Sequence, residues 1–430
     1  MNDALPDVLD SHRLSRPART AAAPRRLSLQ KHLCILLVAA GAFALYSYSA
    51  HTLHARQAPQ YFGADNCWYV KLAHGEVVDR IARFHPTTIA IALAWMKALS
   101  PLAALVSPQI LLSLMFAAIG AMGSWAATWA FAAVLPFREA LLWGGIYSVS
   151  FGVWFFASVE ESKILSATMA AIYIGGYLHL RQRWTRHGAA LLTIVLLLAC
   201  LNEIALGALI VVPLIDTMLR KGWNWRHYPW MALHATAGVI ALLLLEFVVN
   251  GLVIARDHDP EGSSHLVLFF HYFAKADHSL ASLYAFLLNW LSFNLVAPTP
   301  NAPHYFGGDP TFGAYFAPSF MDYFGAPASA SAILMILAAA ALALGVGLRG
   351  ERPRAFNGLV PALAMFSLLR ALFFFLFNPV EPLLFSPAVT LAHLLILAGP
   401  ISVANIPRKE LFLAGLLMLL IAANSRFFVG

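Results

Sequence analysis

The sequence has 430 residues, of which 60% are hydrophobic and 11% are charged. Its mean hydropathy is +0.71, and its apolar runs are long enough to cross a hydrocarbon core of about 30 Å. These values exclude a soluble globular domain. The runs are continuous rather than alternating, which excludes a transmembrane barrel and predicts an all-α polytopic membrane protein.

The net charge of +7 comes mainly from the amino-terminal tail and from short loops. Lysine and arginine residues in these places orient membrane helices, so the positive charge does not indicate a nucleic-acid partner. The three cysteines are scattered and predict neither a disulfide framework nor a zinc site.

In chain order, residues 1–30 predict a flexible cytoplasmic tail. A first membrane module covers residues 31–220, and its first outer loop covers residues 51–108. A second, more variable module covers residues 221–430 and carries an outer loop at 251–325. If the basic residues near the amino terminus stay in the cytoplasm, the first helix carries the chain to the outer face of the membrane.

Residues 87–106 predict an interfacial helix on the outer face, since a full span there would put the later basic loops outside. The segment 281–296 predicts a second surface-lying helix. About eleven spans result, with the carboxyl terminus outside. The first is near residues 32–50, and the others are near 110–134, 138–157, 164–180, 188–201, 204–219, 229–250, 330–348, 357–377, 383–404 and 410–427.

Carboxylates gather at the predicted outer ends of the helices: Asp65, Glu160, Glu161, Glu203 and Glu381. Ionisable groups at membrane depth are expensive, so their convergence predicts a wet cavity with a function. Asp65 suits two roles that can coexist, a proton acceptor and a helix N-cap. Adjacent helical residues point about 100° apart, so at most one of Glu160 and Glu161 is expected to face the cavity of Asp65. Otherwise the two form a hydrated interfacial pair beside Lys163.

Basic groups of the same face are candidates for binding a lipid phosphate: His85, Lys71, Arg83, Lys163, Arg256 and Lys275. A structural histidine and an anionic lipid headgroup are the alternatives. The spacing of Asp257 and Asp259 would allow a divalent cation, although such spacing also arises by chance in polar loops. The aromatic segment 303–325, which includes Tyr305, suits an interfacial belt or an acceptor groove.

The order of these features resembles the GT-C superfamily of membrane glycosyltransferases. Within it, the chain is most similar to the protein O-mannosyltransferase and lipid-A aminoarabinose transferase group. The resemblance covers roughly residues 30–220 and rests on "GADNCWYVKLAHGE", "FHPTTIAIALAWMKAL", "PFRE" and "FASVEESKIL".

This resemblance implies transfer of a hexose or pentose from a polyprenyl-phosphate lipid to a lipid, glycan or protein acceptor on the outer face. It implies that Asp65 is the first-loop catalytic carboxylate, a base for an inverting displacement, and that Glu160 or Glu161 is the second acid. Two departures are Asn66, where many relatives have an acid, and Glu rather than Asp as the second acid. A bacterial inner membrane is the expected location. A flippase or transporter for a lipid-linked sugar and an inactive GT-C-like assembly subunit are the alternative functions.

Overall fold

Helices account for almost all of the structure, a computed structural model. It describes residues 28–55, 66–76, 84–181, 185–222, 229–249, 265–299, 304–305, 314–315, 318–349, 354–404 and 406–429. One short antiparallel pair, His304–Tyr305 with Ala314–Tyr315, is the exception among these residues. The predicted all-α class is therefore confirmed.

The first module has these helices in chain order: α1 Leu29–Ala55, α2 Asn66–Ala73, α3 Pro86–Ala98, α4 Pro108–Val134, α5 Phe137–Val149, α6 Phe151–Ala157, α7 Lys163–Leu180, α8 Arg186–Asn202 and α9 Val211–Lys221. The second module has α10 Pro229–Leu243, α11 His265–Lys275, α12 Leu280–Ser292, α13 Pro327–Leu348, α14 Leu359–Phe377, α15 Pro382–Phe385, α16 Thr390–Val403 and α17 Lys409–Val429. Most predicted helices lie where the apolar runs placed them.

Six helical segments of the described chain are long and apolar enough to cross a membrane: Leu29–Ala55, Pro108–Val134, Pro327–Leu348, Leu359–Phe377, Pro382–Val403 and Lys409–Val429. The bent pair Phe137–Val149 and Phe151–Ala157 is a seventh candidate span. The chain is thus a polytopic integral membrane protein. The larger count of about eleven stays a prediction, because the other apolar helices are shorter.

Helix α4 lies at the centre of the first module and packs against α1, α5 and α7. Ser107 caps its first turn, and Pro108 occupies the position where proline is tolerated. Small residues let neighbouring helices approach closely, which is how membrane helices associate without a strong hydrophobic drive. A Cβ added at Gly120 would lie 2.5 Å from Cβ of Ala157 and 3.0 Å from the Tyr46 ring.

Gly120→Ala is therefore expected to lower the free energy of unfolding by about 1–3 kcal/mol, because the added methyl group overpacks this contact. Gly41→Ala is the matched control, since a Cβ at Gly41 meets nothing within 4 Å. Unfolding in mixed detergent micelles measures both. Equal stability of the two variants would contradict the close packing of α4.

The predicted helix 138–157 is interrupted at Ser150, where α5 and α6 meet at a bend of 60°. The break frees backbone N–H groups, and lipid offers no water to bind them. Phe151 N–H donates to the Leu295 carbonyl at 3.1 Å, and Gly152 N–H donates to the Asn294 carbonyl at 2.9 Å. The bend is therefore stabilised by a distant loop, which local sequence does not reveal.

Two other segments that were predicted as single helices are divided into shorter elements in the structure. The segment 204–219 begins as a 3-10 helix, Ile204–Ile210, before α9. The segment 383–404 consists of α15, the 3-10 helix Ser386–Val389 and α16. Prolines near the start of these last elements favour short turns over one long helix.

Helix α12 matches the predicted surface-lying segment 281–296 in position and pattern. Its exposed residues recur at helical spacing: Leu280, Tyr284, Leu287 and Leu291. Phe286, Asn289 and Trp290 are buried. This apolar outer stripe suits a helix that lies in an interface, and its orientation to the membrane stays a prediction.

Polar side chains cluster at both ends of the helices. At one end, which we call the clamp end, Asp216 accepts hydrogen bonds from Arg181 at 2.9 Å, Arg220 at 2.9 Å and the Tyr177 hydroxyl. Arg181 also donates to the Ala355 carbonyl at 2.6 Å. These contacts tie α7 and α9 to the segment before α14. We call the opposite end, where the turns 158–162 and 202–203 meet and Lys163 and Arg370 contact Phe385, the site end.

Candidate functional site

The turn between α6 and α7 holds Glu160 and Glu161, and both are almost fully buried. Helix α6 ends at Ala157 and α7 begins at Lys163. The prediction that the two glutamates follow helical spacing is therefore wrong, because they lie in a non-helical turn. The alternative of a hydrated interfacial pair is also wrong, since burial removes both from water.

Glu160 binds side chains from two other helices. Its Oε1 lies 2.8 Å from Nε2 of His54, near the end of α1. The Ser113 hydroxyl, in the first turns of α4, also donates to Oε1. Three elements thus meet on one carboxylate oxygen.

Glu161 instead fixes its own turn. Its Oε1 accepts hydrogen bonds from the Ser162 backbone N–H at 2.9 Å and from the Ser162 hydroxyl at 3.0 Å. The Ser162 carbonyl accepts from the Asn202 side-chain amide at 3.4 Å. The turn is therefore joined to the end of α8.

Asn202 links α8 to the predicted interfacial helix α3. The His85 ring donates from Nδ1 to the Asn202 carbonyl at 2.6 Å, and the Thr88 hydroxyl donates to Asn202 Oδ1 at 2.5 Å. The Asn202 amide donates to Ser166 at 3.0 Å. Because His85 is buried against a backbone carbonyl, these contacts favour its structural alternative over phosphate binding.

Glu203 forms an ion pair with Arg370 of α14, which is 0% exposed. Ser166 donates to the other oxygen of Glu203 at 2.8 Å. Arg370 Nη2 also donates to the Phe385 carbonyl at 3.0 Å. Its Nε and Nη1 are buried without a hydrogen-bond partner among the described residues.

Lys163 is the second buried cation of the site and is 4% exposed. Its ammonium lies 5.0 Å from the centre of the Phe385 ring, while the Arg370 guanidinium contacts the Phe385 carbonyl. No carboxylate of the described chain lies within 4.0 Å of the Lys163 ammonium. We call Lys163 and Arg370 the cation pair.

The cation pair and Glu203 carry two positive charges and one negative charge. Burial opposes ionisation of Glu203, but Arg370 and Lys163 outweigh it and hold the pKa of this carboxyl below its ordinary value. Glu203 pairs with Arg370, whereas Lys163 has no carboxylate of the described chain in direct contact, although Glu160 and Glu161 are buried in the turn just before it. An anion that contacted both cations directly would be favoured by their charges.

The site end brings together five residues predicted from the sequence: Glu160, Glu161, Lys163, Glu203 and His85. Glu381 lies nearby in sequence to Phe385, and the Asn378 amide donates to it at 2.6 Å. This contact gives Glu381 a role in the turn before α15.

Two predicted cations are exposed rather than buried. Lys71 is exposed and lies 4.6 Å from the centre of the Trp68 ring, and Lys275 is exposed in the last turn of α11. Tyr305 pairs through its backbone with Ala314. The remaining predicted site residues lie outside the described residues: Asp65, Arg83, Arg256, Asp257 and Asp259.

Sequence reasoning missed His54 and Arg370. Arg370 carried a usable signal, because it is the one charged residue in "LVPALAMFSLLRALFFFLF". An ionisable residue within an apolar membrane helix is itself a functional-site hypothesis. His54 gave no comparable local signal, and Asn202 was noticed only as the neighbour of Glu203 in a short polar turn.

Comparison with known proteins finds no protein-family model that matches the chain and no curated protein with a significant match. The GT-C resemblance therefore stays a prediction. Within the described ranges, no group of three His, Cys, Asp or Glu side chains is arranged to hold a metal ion.

Proposed function

We propose that this protein is a GT-C-type membrane glycosyltransferase that moves a sugar from a polyprenyl-phosphate lipid to an acceptor. The observation that carries the proposal is the buried cation pair beside Glu203. In this proposal the chain has about eleven spans and a cytoplasmic amino terminus. The site end faces the outside of a bacterial inner membrane.

A phosphate group suits the cation pair for chemical reasons. The guanidinium of Arg370 is planar, and its Nε and Nη1 donors are buried without partners in the described part of the chain. A planar fork of donors matches phosphate oxygens well, and an ammonium adds a second point charge.

The depth of Arg370 favours a lipid-borne phosphate over a water-borne one. Arg370 lies about two helical turns, or about 10 Å, before α14 ends at Phe377. A phosphate attached to a polyprenyl chain can reach this depth from the membrane.

The cation pair would promote transfer by stabilising the leaving group. As the bond between the anomeric carbon and the phosphate oxygen breaks, negative charge grows on that oxygen. Glu203 holds the Arg370 guanidinium in place, so the site needs little rearrangement during the reaction. Asp65 is the catalytic carboxylate that the resemblance implies, and Glu160 or Glu161 is the second acid.

A transporter for a lipid-linked sugar is the second candidate, and the interrupted helices favour it. The 60° bend between α5 and α6 and the irregular start of the Pro382–Val403 segment resemble the broken helices of many transporters. The two functions differ in whether the sugar stays attached to its lipid. A transferase separates the sugar from its lipid, whereas a transporter moves the intact molecule.

Asp65→Asn tests the enzyme directly, because it keeps the side-chain shape and removes the charge. We expect product formation to fall about 100-fold or more, while binding of the polyprenyl-phosphate sugar persists. Glu76→Gln is the control, since Glu76 is exposed in the same predicted outer loop. Purified protein in lipid nanodiscs with radiolabelled donor gives both readouts.

Equal product from wild type and Asp65→Asn would remove Asp65 from the catalytic role. Labelled lipid that crosses the bilayer of proteoliposomes with its sugar still attached would support the transporter. Binding without turnover or transport would support an inactive subunit.

A further inference from the structure

His54 forms a polar pair with the buried carboxylate of Glu160. Its Nε2 lies 2.8 Å from Glu160 Oε1 and 2.8 Å from the Ser113 hydroxyl oxygen. Its Nδ1 lies 3.3 Å from the side-chain amide nitrogen of Gln109. The His54 side chain is 22% exposed, whereas that of Glu160 is 2% exposed. A substrate in solvent contact could therefore touch the His54 imidazole but not the Glu160 carboxylate.

The contacts define which nitrogen of neutral His54 carries the proton. A carboxylate oxygen only accepts hydrogen bonds, so Nε2 donates to Glu160. The lone pair then lies on Nδ1, where the Gln109 amide is a long donor. A neutral histidine held in this way by a buried carboxylate can accept a proton on its second nitrogen, because the carboxylate stabilises the resulting imidazolium.

We infer that His54 is the proton acceptor for the attacking hydroxyl of the acceptor substrate, with Glu160 as its positioning residue. This inference rests on the proposed glycosyl transfer. His54 accepts the proton in this step, so the loss of product expected for Asp65→Asn would come from misplacement of the acceptor rather than from loss of the base.

The step balances as a single displacement. The acceptor oxygen forms a bond to the anomeric carbon and gives its proton to His54 Nδ1. The bond from that carbon to the lipid phosphate oxygen breaks, and the phosphate leaves with the electron pair. The cation pair binds the released phosphate. No oxidant, reductant or further reactant is needed.

The turn between α6 and α7 links the proton acceptor, His54, to the cation pair that binds the leaving phosphate. Glu160 holds His54 near the start of the turn, and Lys163 of the cation pair follows the turn as the first residue of α7. Ser162, between them, is bonded to Asn202, which precedes Glu203. A base and a leaving-group site held on one short turn can be positioned together, as an in-line displacement requires.

His54→Gln removes the titratable group and keeps a side chain able to hydrogen-bond Glu160. We expect transfer to fall about 100-fold to 10,000-fold, with donor-lipid binding changed less than about twofold. The wild-type pH–rate profile should have an acidic limb between about pH 5 and 8, and His54→Gln should lack it. His51→Gln is the matched control, because His51 is exposed on the same helix and should behave as wild type.

Glu160→Gln and the double variant test the positioning role. Glu160→Gln should lower transfer, and adding it to His54→Gln should cause little further loss, because the two residues act as a unit. His54→Ala with added imidazole gives a second test, in which restored transfer supports a proton-accepting role.

Several outcomes would overturn the assignment. Unchanged rate and pH profile in His54→Gln, with transfer by wild type, would overturn it while leaving the proposed function intact. Loss of stability in His54→Ala with no response to imidazole would assign His54 a structural role. No transfer by wild type from any donor would overturn the proposed function and this assignment together.

Discussion

Arg370→Gln is expected to weaken binding of a polyprenyl-phosphate lipid by about 30-fold or more, which corresponds to about 2 kcal/mol. The variant removes the guanidinium that carries two unpartnered donors at the site end. It also leaves Glu203 buried without its ion-pair partner, so the free energy of unfolding should fall by about 3–5 kcal/mol. Titration of purified protein in nanodiscs with labelled lipid, and unfolding in mixed micelles, measure the two effects.

Two further variants separate binding from stability. Glu203→Gln combined with Arg370→Gln removes both charges of the ion pair, so it should recover stability while affinity remains below that of wild type. Arg426→Gln, in the last turn of α17, is the control because Arg426 is exposed. Unchanged affinity in a folded Arg370→Gln protein would make Arg370 purely structural and would contradict the phosphate site.

Asp216→Asn is expected to lower the free energy of unfolding by about 3–5 kcal/mol, because it leaves buried cationic groups without their carboxylate. Asp216 is fully buried and binds Arg181 and Arg220, whose side chains are largely buried. The Tyr177 hydroxyl also donates to it. Thermal or detergent unfolding of the purified variant measures this change.

The clamp end and the site end predict different phenotypes. Asp216→Asn should leave transfer per folded molecule near the wild-type value, since its contacts lie at the opposite end of the helices. Glu410→Gln is the control, because Glu410 is an exposed acid in the first turn of α17. A clear loss of transfer in folded Asp216→Asn would show that the two ends are coupled.

Apolar runs were sufficient to place most helices, because lipid forces each run to pair its own backbone groups. They did not reveal where a helix breaks. The bend at Ser150 depends on carbonyl groups of Asn294 and Leu295, which are distant in sequence. A continuous run such as "SVSFGVWFFASV" is equally compatible with a straight helix.

The candidate site was predicted in part for a similar reason. Lys163 and Glu203 were found because charged residues at helix ends are conspicuous in an apolar chain. Arg370, the ion-pair partner of Glu203, was missed, although a single charge within an apolar membrane helix is itself a functional-site signal. The pairing of Glu203 with Arg370 joins residues 167 positions apart, so no local pattern specifies it.

The pairing of His54 with Glu160 could not be predicted from the sequence. A histidine near the end of a membrane helix has many ordinary explanations, and its sequence neighbours do not identify Glu160 as a partner. The pair forms only because the turn after α6 returns to the end of α1. Tertiary structure supplied that relationship, while the sequence supplied the two residue types.

The most direct test of the central claim is transfer of radiolabelled sugar by purified wild-type protein in nanodiscs from a panel of polyprenyl-phosphate sugars. A mixture of lipid, glycan and peptide acceptors would be present. We expect label to leave the lipid and appear on an acceptor, and Arg370→Gln to reduce this transfer. Label that stays on the lipid for every donor, beside an active control glycosyltransferase, would contradict the account.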